Sequence, residues 1–143
     1  MPQRVAEQIA AVVLSGLFAV MTGCGGAQTP ADEAPPTFGA GLTMRYDYRS
    51  THGTSVFEIE VIDDRRLIYR GVAGEVTGLE GGVDYTRRDI TPGVVFLSWA
   101  EEDGRVTAQV IDLLHLEVHS IEVSSEGERV ELDGKIEIVR AAR

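Results

Sequence analysis

An all-β domain, closing into one antiparallel barrel of about eight to nine strands, is the fold this sequence predicts. Three observations carry the expectation. Apolar and polar residues alternate with a period of two from Leu42 onward, which is the signature of strands with one buried face. Turn-forming residues break the alternation every eight to twelve residues or so. No stretch after residue 38 carries a helical period.

Each element follows from that pattern. Leu42, Met44, Tyr46 and Tyr48 share one face of a first strand, with Thr43, Arg45, Asp47 and Arg49 on the other. His52-Gly53 turns the chain into a second strand over 56–62, where Phe57, Ile59 and Val61 alternate with Glu58 and Glu60. Asp63-Asp64-Arg65 forms the next turn, and 67–72 the third strand. A short fourth strand is expected to contain Gly74 and Gly78, and Gly81-Gly82 to lead into a fifth over 83–90. Thr91-Pro92-Gly93 turns into 94–101, the most apolar strand, and Glu102-Asp103-Gly104 into 106–113. Strands over 114–123 and 130–132 follow, and Asp133-Gly134 is read as a turn into a last strand, 135–140. Hairpins throughout imply a meander.

The N-terminal segment is of a different kind. Arg4 precedes the apolar run 9–20, and the small residues Thr22 and Gly23 stand directly before Cys24, the chain's single cysteine. Charge, apolar stretch and small-residue boundary are the parts of a secretory signal peptide. The run is short for a span of about 20 residues. Residues 25–37 hold three prolines and no apolar periodicity, and read as a disordered linker. The expected organisation is a signal peptide over 1–23, a linker over 24–37 and one barrel domain over 38–143.

Composition narrows the partners. A formal charge of −10 argues against nucleic acid and anionic lipid surfaces, which call for a basic footprint. With Cys24 spent at the boundary, the domain holds no thiol, so disulfides, cysteine metal sites and thiol nucleophiles are excluded from it. His115 and His119 have a helical zinc spacing but sit among strand-like neighbours, where four residues span about 13 Å, too far for one metal. No metal site and no cofactor is expected, and the sequence specifies no protein partner.

The candidate binding face comes from strand geometry. Tyr46 and Tyr48 share a face and can both point into a barrel, and so can Leu97, Trp99 and Glu101 on the strand over 94–101. Glu101 has two readings. It faces the interior beside Trp99, as a proton donor or acceptor or a ligand contact, or it starts the turn through Gly104 and faces water.

Several stretches together resemble a known family. They are Arg45-Tyr46-Asp47-Tyr48, His52-Gly53, Leu67-Ile68-Tyr69-Arg70 with Gly74 and Gly78, and the run 92–101 from Pro92-Gly93 through Ser98-Trp99-Ala100-Glu101. Their order and spacing are similar to those of the MoaF-like family and its relatives the phenolic acid decarboxylases. The resemblance spans roughly residues 41–110. It implies a calycin-type, lipocalin-like barrel with an apolar central cavity. In the decarboxylases two first-strand tyrosines and an arginine orient the substrate and a glutamate moves the proton. Tyr46, Tyr48 and Glu101 match three of those four, whereas Leu79 occupies the arginine position. Arg70 and Arg87 are the candidate substitutes.

The N-terminus similarly resembles a bacterial lipoprotein signal, with Met21 where leucine is usual and Cys24 as the lipidated residue. Two or more acyl chains would make that a lasting tether. The expectation is therefore a lipoprotein exported to the bacterial cell envelope, on its periplasmic or surface side, and anchored to a membrane through Cys24. Its barrel would bind a small apolar or aromatic molecule through Tyr46, Tyr48, Tyr69, Trp99 and Glu101. An acid/base enzyme using Glu101, Tyr46 and Tyr48, and a non-catalytic envelope interaction protein, are the alternatives. The leucine at position 79 weighs against the enzyme.

Overall fold

Among the described residues, nine antiparallel strands form one sheet that curls into a nearly closed barrel. The computed structural model describes residues 34–50 and 53–143. The segment expected to be a signal peptide, Cys24, His52 and most of the expected linker lie outside those residues. The strands are β1 (Thr43–Ser50), β2 (Gly53–Val61), β3 (Arg66–Gly74), β4 (Glu80–Asp84), β5 (Thr86–Thr91), β6 (Val94–Ala100), β7 (Val106–Asp112), β8 (Glu117–Val123) and β9 (Arg129–Arg140).

The order across the sheet is β4-β3-β2-β1-β9-β8-β7-β6-β5. Every strand pairs with its sequence neighbour except β4 with β5, and the pairing of β1 with β9 joins the two halves. β1 is therefore central, as its clean alternation demands. Leu42, Met44, Tyr46 and Tyr48 are buried together. On the outer face Arg45 reaches Glu58 on β2 at 3.5 Å and Glu137 on β9 at 3.0 Å. These are cross-strand partners in the ladder register.

Closure depends on Tyr85, the one residue between β4 and β5, which sit at opposite ends of the strand order. Its N–H donates to the Arg65 carbonyl at 2.6 Å and its hydroxyl to the Asp63 carbonyl at 2.7 Å. Its ring meets Phe38 edge-on at 6.1 Å. The chain thus leaves the β3–β4 hairpin and starts the other side of the barrel at a buried, hydrogen-bonded corner. β4 comes to lie against β6 without joining it in the hydrogen-bonded ladder. That seam is where the barrel stays open.

Three expected boundaries are corrected. Residues 75–78 form a turn, so Gly74 ends β3, and the fourth strand is Glu80–Asp84 with Gly81-Gly82 inside it. The expected fifth strand over 83–90 is divided at the Tyr85 corner. Asp133-Gly134 makes no turn, because β9 runs through it as one strand of 12 residues. Gly134 is needed there for proximity: a Cβ would lie 2.8 Å from the Tyr48 ring and 3.0 Å from a Val118 methyl. Glycine clears the space in which Tyr48 packs across β9, a reason invisible to turn statistics.

Candidate functional site

The interior holds a cavity with two chemically different walls. Strands β1–β3 supply an aromatic wall, in which Tyr46, Tyr48, Phe57 and Tyr69 meet in sequence edge to face. Their ring centroids are 5.9, 6.3 and 6.3 Å apart, within the range favoured by ring quadrupoles. Strands β7 and β8 supply a polar wall of Thr107, Gln109 and Glu122. Ile59, Leu67, Leu79 and Trp99 complete the apolar lining.

The two central tyrosines differ sharply in their hydrogen bonding. The Tyr48 hydroxyl lies 2.7 Å from Ser120 Oγ and accepts from Gln109 Nε2 at 3.3 Å. The Tyr46 hydroxyl, equally buried, has no hydrogen-bond partner. Burial pushes both phenols well above their ordinary range, reinforced for Tyr46 by the neighbouring Tyr48. Both therefore stay protonated at neutral pH and act as hydroxyls. Leaving a buried hydroxyl unpaired costs about 1–3 kcal/mol.

The mouth of the cavity lies at the seam. Glu101 stands directly after β6 and opens the β6–β7 turn, its carbonyl accepting from the Gly104 N–H at 3.0 Å. Its half-buried side chain turns back over the seam. Trp99 Nε1 donates to one carboxylate oxygen at 3.0 Å and the Tyr69 hydroxyl to the other at 3.3 Å. Glu101 thus satisfies both of its readings, as a turn residue and as a member of the cavity lining. Tyr69 reaches it because Gly81, its register partner on β4, leaves room: a Cβ there would fall 2.5 Å from the phenol oxygen. A shallower depression outside the mouth shares Tyr69, Glu101 and Arg105 with the cavity.

Tyr46, Tyr48, Tyr69, Trp99 and Glu101 all line this one cavity, and Leu79 joins them at its mouth. Arg70 and Arg87 do not. Arg70 is an exposed residue facing Glu80 across the β3–β4 ladder. Arg87 lies over the Phe38 ring at 5.1 Å and donates to the Phe38 carbonyl. The arginine at the cavity is instead Arg105, held by Asp103 at 2.9 Å and by Glu122 at 3.9 Å.

Arg105, Glu122, Thr107 and Gln109 are the lining residues that sequence patterning passes over. On β7 and β8 the usual polarity is inverted along part of the strand. Thr107, Gln109 and Ser120 are buried while Val106 and Ile121 are exposed. Glu122 shares the inner face with Val118 and Ser120, and burial raises its carboxyl above the usual range, against the opposing pull of Arg105. His115 and His119 belong to the outside. His115 pairs with Asp112 at 2.8 Å and His119 with Asp133 at 2.6 Å. Among the described residues no cluster of three or more His, Cys, Asp or Glu side chains could hold a metal.

The MoaF-like family profile matches residues 40–137, which hold all nine strands except the end of β9. The chain belongs to the MoaF-like family. The matched span contains every residue of the cavity just described. Among solved structures, a protein of Burkholderia vietnamiensis described as a candidate beta-lactamase superposes with a TM-score of 0.63. It is 21% identical, with 70% of this chain and 94% of that chain covered. At that identity the likeness speaks for the shared barrel alone. No curated protein matches the sequence. For this MoaF-like barrel, function has to be argued from the cavity itself.

Proposed function

We propose that this MoaF-like protein is an exported, lipid-anchored binding protein whose barrel holds a small apolar or aromatic group. The observation that carries the reading is the Tyr46 hydroxyl, buried and without a partner in the aromatic wall of the cavity. A ligand with a hydroxyl, carbonyl or amine would supply the missing bond, while the edge-to-face ring wall receives its apolar part. The cavity measures about 110 Å³, somewhat under the roughly 150 Å³ of an apolar cavity that admits benzene. It suits one ring or a short alkyl group, and anything larger extends through the mouth at Glu101.

Native mass spectrometry and thermal shift of the full chain against phenols, phenolic acids and short-chain lipids test the reading. Retention of a single-ring compound, weakened by Tyr46→Phe, is expected. Failure of every such compound to bind or stabilise the protein counts against it. The anchor is tested separately. Cys24→Ser should move the protein from the membrane to the soluble fraction, and unchanged membrane fractionation of that variant rules the tether out.

A second reading, acid/base catalysis, is favoured by one arrangement. Glu101 is oriented by Trp99 and Tyr69 at the cavity mouth, with Arg105 lining the same mouth. Loss of CO₂ from hydroxycinnamates should then fall in Glu101→Gln. Equal rates for that variant and the wild type end the idea.

A further inference from the structure

The charges around the cavity mouth are unbalanced, and their arrangement distinguishes between ligands of opposite sign. Three charged side chains line the cavity: Glu101, Glu122 and Arg105. Arg105 is already engaged, because Asp103 holds its guanidinium at 2.9 Å and Glu122 stands 3.9 Å away. In the depression just outside, Arg66 is likewise tied to Asp84 at 2.9 Å, while Glu102 adds a further negative charge. No cation lining either space is without an acidic partner, so the acids are in excess.

From this geometry we infer that the cavity selects ligands carrying a positively charged amine on an apolar or aromatic group, and rejects carboxylates. The inference rests on the cavity being a ligand site, and names the charge class that the site takes. A carboxylate entering beside Glu101 and Glu122 would meet two like charges in a partly desolvated space, where Coulomb terms are several times larger than in water. Arg105 offers it little net positive charge, since Asp103 at 2.9 Å and Glu122 at 3.9 Å already face the guanidinium. An ammonium meets the opposite situation. The Glu101 oxygens each accept one hydrogen bond from Trp99 or Tyr69, and a carboxylate has about four lone-pair sites, so acceptor capacity remains. The faces of Trp99 and Tyr69 add cation–π attraction as the charge passes the mouth. Glu122, whose one cationic neighbour Arg105 stands 3.9 Å away and is held more closely by Asp103, gains a nearer counter-charge. The ring or chain then fills the space beside Phe57 and Ile59.

Benzylamine, benzyl alcohol and benzoate share one ring and differ chiefly in charge, which makes them suitable probes. Isothermal titration calorimetry on the full chain in a non-ionic detergent, with a detergent blank, is expected to give benzylamine a Kd at least about tenfold below that of benzoate. Benzyl alcohol should fall between them. Glu122→Gln and Glu101→Gln should each weaken benzylamine several-fold more than benzyl alcohol, with far-UV circular dichroism reporting that the variants are folded. Benzoate binding as well as benzylamine, with benzyl alcohol bound, overturns the charge selection and leaves the binding site standing. A benzylamine preference that survives both substitutions overturns the assignment to these carboxylates. Binding of none of the three probes removes the ligand site and the inference together.

Discussion

Tyr69 and Glu101 tie the barrel together across its seam. The Tyr69 hydroxyl on β3 donates 3.3 Å to a carboxylate that follows β6, joining walls that no hydrogen-bonded ladder connects. The same carboxylate takes the Trp99 indole N–H at 3.0 Å. The seam is therefore bridged by side chains where backbone pairing stops, at the mouth of the cavity.

Removing that link should loosen the seam without unfolding the barrel. Tyr69→Phe loses one long, partly exposed hydrogen bond, so a cost of about 0.5–1.5 kcal/mol is expected in urea denaturation. The local signature is more telling. Backbone amide exchange should accelerate in β4 and at the β6–β7 turn and stay unchanged in β1 and β9. Uniform acceleration across all strands would speak against a seam role.

Tyr46 and Tyr48 neighbour each other on one face of β1 and should respond oppositely to loss of the hydroxyl. Tyr48→Phe strands Gln109 and Ser120 in the interior and should cost about 1–3 kcal/mol. Tyr46→Phe removes a buried hydroxyl that has no partner, so ligand-free stability should stay level or rise by up to about 1 kcal/mol. Urea midpoints at constant m-value measure both. Equal destabilisation by the two changes would contradict the hydrogen-bond assignment.

Gly134→Ala tests the close approach that interrupts the turn reading. The added Cβ falls 2.8 Å from the Tyr48 ring, and that ring is held in place by Ser120. Overpacking of this kind costs about 1–3 kcal/mol. A variant as stable as the wild type would show that the ring yields freely.

Glu122 should make stability depend on pH in a defined direction. Its folded carboxyl is raised above the ordinary 4.5, mainly by desolvation, so the ionised form is disfavoured in the fold. Below the unfolded pKa both states are protonated and no cost arises. As pH rises through the unfolded and then the folded value the cost sets in, and it is complete above the latter. Glu122→Gln should therefore match the wild type near about pH 4 and exceed it in stability near about pH 8. Thermal melts at the two pH values check this, and an unchanged difference between them contradicts it.

Strand content was legible in the sequence wherever hydrophobic alternation coincided with burial, as on β1, where Leu42, Met44, Tyr46 and Tyr48 are all inside. It failed where a short-range signal had a long-range cause. Asp133-Gly134 carries the chemistry of a hairpin turn, yet the glycine serves the Tyr48 ring from a strand distant in sequence. The aromatic half of the cavity was similarly readable, since tyrosines on an apolar face announce an interior that needs polar partners. The polar half was hidden. Thr107, Gln109 and Ser120 are buried and Ile121 is exposed, so hydrophobicity points the wrong way at these positions of β7 and β8.

By itself, the sequence determined the all-β class, the meander and the inward tyrosine pair, because period-two patterning and turn chemistry are local properties of the chain. Tertiary structure alone decided that the barrel stays open between β4 and β6, that Glu101 bonds across the gap, and that Arg105 lines the cavity where Arg70 and Arg87 do not. Those features depend on register and on the Tyr85 corner, which bring residues far apart in sequence to within a few ångströms. Contacts of that kind leave no periodic trace in the chain, because each partner is positioned by a different hairpin.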